Sequence, residues 1–165
     1  MSDYQTNFGS LGHFQKGGVQ IIADDPRNYA FSNVFDVANG AAPYERIAVA
    51  QNFEYVVEAA RADGTSSWYA ADHDEIVLCM DGEIEVTLTK PDHPLVAGGT
   101  QGAVQLDAVP EGKKMGRIVL GRGHMALLPK GAAYCFTAGR PGVMILQTLK
   151  GAATVEKWAD ICQTA

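Results

Sequence analysis

Two runs of strand-forming residues meet at one tight turn. "EIVLCM" is a continuous apolar run, Asp81-Gly82 follows it, and "EIEVTLTK" then alternates apolar and polar residues. A period of two fits a strand and not a helix, so Ile84, Val86 and Leu88 are expected to face a core. Glu83, Glu85, Thr87 and Thr89 are then expected to face water. Asp-Gly between two such runs favours a two-residue hairpin, because the turn needs a positive φ that glycine adopts freely. A chain organised around this stretch is committed to β-structure.

The rest of the chain agrees. "RIAVA" and "FEYVVEAAR" are short apolar or alternating runs, the second ended by the turn residues of "ADG". Later come "GRIVLG", "HMALLP", "AAYCFT" and "GVMILQTL". Residues 91–116 carry Gly and Pro throughout and read as a long inserted loop, of a length that is usually functional or interface-forming. Near the end, Val155, Trp158, Ala159 and Cys162 are spaced as one face of a helix. Many short strands and one terminal helix predict a single all-β domain of the jelly-roll barrel type. Residues 46–150 form the expected barrel and 151–165 a short C-terminal helix. Residues 1–45 form an N-terminal arm.

That arm is rich in Gly, Asn, Ser and Asp but also holds Tyr4, Phe8, Phe14, Tyr29, Phe31 and Phe35. So many aromatic residues argue against a disordered tail and for an arm packed on its own barrel or on a partner. A net charge of -6 and a pI near 5.1, with no basic run, exclude nucleic-acid binding as the expected role. No signal peptide and no membrane span are recognisable. The 3 cysteines, Cys79, Cys135 and Cys162, show no Cys-x-x-Cys spacing and fit reduced thiols in a cytoplasmic protein.

The chemistry-bearing stretch is Trp68-Tyr69-Ala70-Ala71-Asp72-His73-Asp74-Glu75, which runs into the apolar strand. Glu75, six residues, then Gly82 resembles the end of the first cupin motif, in which an HxH pair precedes the Glu. Gly123-(x5)-Pro129-x-Gly131-(x2)-Tyr134 resembles the second, whose last position is His. In metal-binding cupins these motifs supply three His and one Glu, a mixed nitrogen and oxygen set. Here the HxH positions fall on Tyr69 and Ala71, or one residue earlier on Trp68 and Ala70, and the second-motif His is Tyr134. Only Glu75 remains, and one carboxylate does not hold a divalent transition ion well. His73 is expected to stabilise the turn, His124 to lie at the far end of its strand, and His13 and His93 to lie in loops.

Residues 28–149, with "NFEYVVEAARADGTSSWYAADHDEIVLCMDGEIEVTL" and "GHMALLPKGAAYCF", resemble the small subunit of two-component hydroquinone 1,2-dioxygenases. The resemblance implies a cupin barrel paired with a larger cupin-like subunit that holds a non-haem Fe(II), in an α2β2 heterotetramer. That assembly cleaves hydroquinone with O2 to 4-hydroxymuconic semialdehyde. This chain would then be metal-free and not catalytic by itself. Trp68, Tyr69 and Tyr134 either fill the former metal cavity, or Trp68, His73, Glu75 and Tyr134 line a small aromatic-binding pocket. The second possibility allows a different function, a stand-alone metal-free cupin that binds a small aromatic molecule. An autonomous metalloenzyme built on His73, Glu75 and a third ligand is a further class.

Overall fold

The computed structural model describes residues 8–25 and 32–162. Its elements are α1 (Val34–Gly40), β1 (Arg46–Asn52), β2 (Tyr55–Thr65), β3 (Trp68–Ala70), β4 (Glu75–Asp81), β5 (Glu83–Pro91), β6 (Val104–Leu106), β7 (Gly112–Gly121), β8 (Met125–Leu128), β9 (Ala133–Leu149), β10 (Thr154–Val155) and α2 (Trp158–Ile161). All ten strands join one curled sheet, and the all-β expectation holds.

The sheet is organised by β9, which the sequence suggested as two separate strands. It is one strand of 17 residues, and its two halves have different neighbours. Residues 133–137 pair with β5, and Ala133 and Tyr134 also pair with β3. Residues 143–147 pair with β4, while β2 runs beside β9 from Leu149 back to Gly142 and again at Ala138 and Thr137. One strand thus belongs to both halves of the barrel.

This arrangement corrects the hairpin expected at Asp81-Gly82. β4 and β5 are not paired with each other, because β4 pairs with β8 and β9 and β5 pairs with β7 and β9. The turn is a corner that carries the chain from one half of the barrel to the other, over the bend in β9. Gly82 has φ 82°, as the turn chemistry required. It is also pressed against the bend, since an added Cβ would lie 3.1 Å from the Gly142 Cα. A Cβ on Gly142 would lie 2.5 Å from the Asp81 carbonyl oxygen. The local signal was right, and the long-range pairing with β9 decided what the turn connects.

Alternation along β5 holds for Ile84, Val86 and Leu88, which are buried. It fails at Thr89, which is buried as well, because a bulge opposite β7 shifts the register between Leu88 and Thr89. The 91–116 segment is less of a loop than expected. Val104–Leu106 pairs with β3, and Gly112–Gly116 extends β7 alongside β5 as far as Pro91. The "ADG" stretch does not end β2 either, which passes through Gly64 at φ 72° with a register shift and continues to Thr65.

The arm contains a helix that the sequence reading missed. Asn33 caps α1 by accepting from the Phe35 N–H at 3.0 Å, and Asp36 lies in the first turn. Phe35 and Ala38 pack with Val143, joined by Leu11 and Phe14. The Leu11 N–H donates to the Asp81 carboxylate at 2.9 Å. These parts of the arm lie on their own barrel, whereas Phe8 is exposed. Tyr4, Tyr29 and Phe31 lie outside the described residues, as do residues 163–165.

The C-terminal helix is shorter than its spacing suggested. Val155 belongs to β10, parallel to β1, and α2 has four residues. Its buried residue is Ile161, which with Trp158 packs against Val37, Ile47 and Val49.

Candidate functional site: a buried arginine between two carboxylates

The first residue of β1 is Arg46, and its side chain enters the barrel and is 3% exposed. Three groups from three other strands meet it. Nε donates to Glu58 Oε2 of β2 at 2.5 Å, Nη2 to Glu75 Oε1 of β4 at 2.8 Å, and Nη1 to the Tyr134 hydroxyl of β9 at 3.1 Å. The Tyr134 hydroxyl donates in turn to the other oxygen of Glu75. Glu58 Oε1 accepts from the Thr154 hydroxyl at 2.6 Å. The planar fork of an arginine suits such a site, because it offers several fixed donors at once.

Aromatic rings close the cluster. Tyr69 and Tyr134 are cross-strand partners, stacked at 5.9 Å between ring centroids. The Arg46 guanidinium carbon sits 5.6 Å from the centre of the Tyr69 ring, a cation–π contact. Phe136 packs against Tyr134 at 5.4 Å.

The electrostatics follow from burial and pairing. Burial alone would raise the Glu75 carboxyl, but the Arg46 charge and hydrogen bonds from Tyr134 and Thr148 outweigh it and hold the group below its ordinary value. Burial pushes the Tyr134 phenol far above the ordinary range, and the Glu75 charge adds to this against the opposing pull of Arg46. Burial also raises Tyr69. For Arg46, burial favours loss of the proton, but Tyr134, Glu58 and Glu75 prevail and the guanidinium stays charged.

The expected site residues fall as follows. Tyr69 and Ala71 are both buried, so the register that puts the HxH positions on them places both inside. Trp68 is half-buried on the opposite face of β3, paired with Leu106, and Ala70 is buried. Glu75 and Tyr134 touch each other at the centre of the cluster. His73 is one step removed, with Nε2 2.9 Å from the Thr148 hydroxyl and 3.3 Å from the Leu149 N–H. Its Nδ1 is buried without a partner among the described residues.

The acidic residues around His73 tie loops together. Asp72 accepts from the Gly99 N–H at 2.6 Å and pairs with Lys130 at 3.0 Å, and Asp74 accepts from the Lys130 N–H at 2.8 Å. His124 lies at the β7–β8 turn, where its Nδ1 accepts from the Gly121 N–H at 3.1 Å.

The sequence reading missed Arg46 and Glu58. Their signal was a charged residue opening one apolar run, "RIAVA", and another inside the next, "VVEAA". Charged residues are rarely buried unless paired, so opposite charges in two neighbouring apolar strands point to a buried pair. Among the described residues, no three His, Cys, Asp or Glu side chains converge on a metal-holding group. The carboxylates that do meet are already bridged by a guanidinium. The donor set therefore does not fit a transition ion, and no nucleophile beside a base is present in the cluster.

No family model matches the chain, and no curated protein does. Solved structures match it closely. One chain of hydroquinone 1,2-dioxygenase from Sphingomonas sp. TTNP3, solved with 4-hydroxybenzoate bound, is 61% identical at a TM-score of 0.91, covering 98% of this chain and 99% of that one. A chain of hydroquinone 1,2-dioxygenase PnpCD, in complex with Cd2+ and 4-hydroxybenzonitrile, is 48% identical at a TM-score of 0.90, covering 99% of both. A longer chain of PnpCD, solved with Fe3+, matches at 8% identity and a TM-score of 0.61, covering 88% of this chain and 41% of that one. That last likeness shows the fold alone, which is the cupin barrel. With such identity over almost the full length of both chains, this chain belongs to the hydroquinone 1,2-dioxygenase family.

Proposed function

We propose that this chain is the small, metal-free cupin subunit of a ring-cleaving dioxygenase that converts hydroquinone and O2 to 4-hydroxymuconic semialdehyde. The observation that carries the reading is the 61% identity, end to end, with a chain of a hydroquinone 1,2-dioxygenase. PnpCD contributes both a chain matched over 99% of its length and a longer chain matched over 41%. Two chains of unequal length in one enzyme support a partner larger than this chain. In the proposed assembly, a heterotetramer with two copies of each chain, Fe(II) is held by the larger subunit. The ion supplies O2 and substrate activation there.

This chain's share is structural. Its Arg46 cluster ties β1, β2, β4 and β9 into one barrel wall that the iron-bearing chain can pack on, and Tyr69, Ala71, Glu75 and Tyr134 are the degenerate ligand positions. Among the described residues no helix is long and apolar enough to cross a membrane, and a cytoplasmic assembly is proposed. The test is reconstitution. Ring cleavage of hydroquinone, followed by ultraviolet absorbance of the semialdehyde, is expected only when this chain and the larger chain are produced together. Full activity from the larger chain alone would overturn the subunit role.

A further inference from the structure

We propose that the Arg46 guanidinium is a cation built into the barrel at the place where a cupin holds its metal ion. The chain would thus exclude a metal by occupancy as well as by lacking nitrogen donors. This deepens the proposed metal-free role and rests on it for its meaning, though its geometry stands alone. Four positions answer to the cupin ligands, Tyr69, Ala71, Glu75 and Tyr134. Arg46 donates to Glu75 and to Tyr134 and lies against the ring of Tyr69, so it touches three of the four. Glu58, from outside both motifs, adds a second carboxylate on the same guanidinium.

The charge is arranged as around a bound cation. Two buried carboxylates and a buried phenol oxygen converge on one positive group, and no other Lys or Arg among the described residues is buried with them. Without the guanidinium these oxygens would be a buried anionic seat that only a proton or another cation could neutralise. The seat is reachable. A cavity of about 410 Å³ lies beside it, with Tyr44, Arg46, Tyr69, Val104 and Ala153 in its wall.

The test uses the full chain and Arg46→Ala, with guanidinium chloride and Mn2+ as probes. Mn2+ is chosen because an oxygen-rich seat suits a hard divalent ion. Arg46→Ala is expected to melt at a lower temperature and to recover several degrees in about 10 mM guanidinium chloride, but not in equal NaCl. The unmodified chain should gain nothing from guanidinium, and on equilibrium dialysis it should retain only a trace of Mn2+.

Recovery of Arg46→Ala that is no greater with guanidinium than with NaCl would overturn the proposal. So would uptake of about one Mn2+ per unmodified chain that Glu75→Gln abolishes. If Arg46→Ala does not fold, the yield on refolding with guanidinium against NaCl reads the same quantity. The subunit reading fails separately. A chain that shows guanidinium rescue but never associates with a larger partner keeps the built-in cation and loses the dioxygenase role, and the reverse result does the opposite.

Discussion

Replacing Arg46 by Met removes the cation from a cluster that holds Glu58, Glu75 and Tyr134. Methionine nearly fills the same volume with flexible apolar atoms, so the cavity contribution is small and the electrostatic loss dominates. Both carboxylates are about fully buried, at 0% and 1% exposure, and the methionine that fills the guanidinium's place offers them no donor. Breaking a buried ion pair from one side destabilises by about 3–5 kcal/mol. In a chain of this size that corresponds to a fall of roughly 6–20 °C in the thermal midpoint. Glu75→Gln should cost less, about 2 kcal/mol, because Glu58 still neutralises Arg46 and the amide oxygen can still accept. The double variant loses the cation and one anion together. It should therefore fall short of the sum of the two by about 1–3 kcal/mol. Urea unfolding followed by fluorescence of the 2 tryptophans measures all four species. Additivity within about 0.5 kcal/mol, or an Arg46→Met cost below about 1 kcal/mol, would refute the cluster's cohesion.

Three more perturbations test other parts of the structure. The Glu75 carboxyl is held below its ordinary value of 4.5, so its stabilisation is present above that pH and is lost as pH falls through the depressed value. Acid unfolding of the unmodified chain should accordingly steepen below 4.5 relative to Glu75→Gln, and parallel profiles would refute the pairing. Tyr44 is pushed up to about 12, chiefly by burial, and Tyr69 and Tyr134 are raised too. At about pH 11, absorbance at 295 nm should therefore show Tyr44 and Tyr134 still neutral in the folded chain, to be released only on unfolding in urea. A native titration in which all 6 tyrosines ionise together near the ordinary value of 10 would contradict their burial. Finally, a Cβ on Gly151 would lie 2.2 Å from the Gln101 carbonyl oxygen, so Gly151→Ala should destabilise by at least about 2 kcal/mol in urea. Gly116→Ala, with open space around its Cβ, should change stability by no more than about 0.5 kcal/mol, and equal effects at the two positions would refute the close crossing.

How far the fold could be read depended on the range of the interaction. Strands β1, β2, β4, β5 and β8 were legible because period and turn residues act within a few positions. The Asp81-Gly82 turn was legible as a turn, but not as a corner. Which strands pair is set by β9, more than fifty residues away in sequence, and a hairpin and a corner share the same local chemistry. The merging of "AAYCFT" and "GVMILQTL" was hidden by the Gly139-Arg140-Pro141-Gly142 bend, whose residues usually end a strand. Helix α1 was missed because seven residues carry little periodicity, although the Asn33 cap was readable.

The site divided in the same way. Glu75, Tyr69 and Tyr134 were found by spacing, and the structure brings the three together. Arg46 and Glu58 were missed because neither lies in a cupin motif, and pairing across β1 and β2 is a three-dimensional fact. His73 was expected as a hydrogen-bonding residue of the turn, and its ring reaches β9 instead, at the Thr148 hydroxyl and the Leu149 N–H.

The division of labour between a metal-free small chain and an iron-bearing companion is tested by native mass spectrometry, with metal analysis, of the untagged protein from its source. The expected mass is heteromeric, combining this 17.6 kDa chain with a larger companion, with iron that follows the companion when the two are separated. A metal-free homo-oligomer with no larger chain, or iron that stays with the small chain, would contradict it.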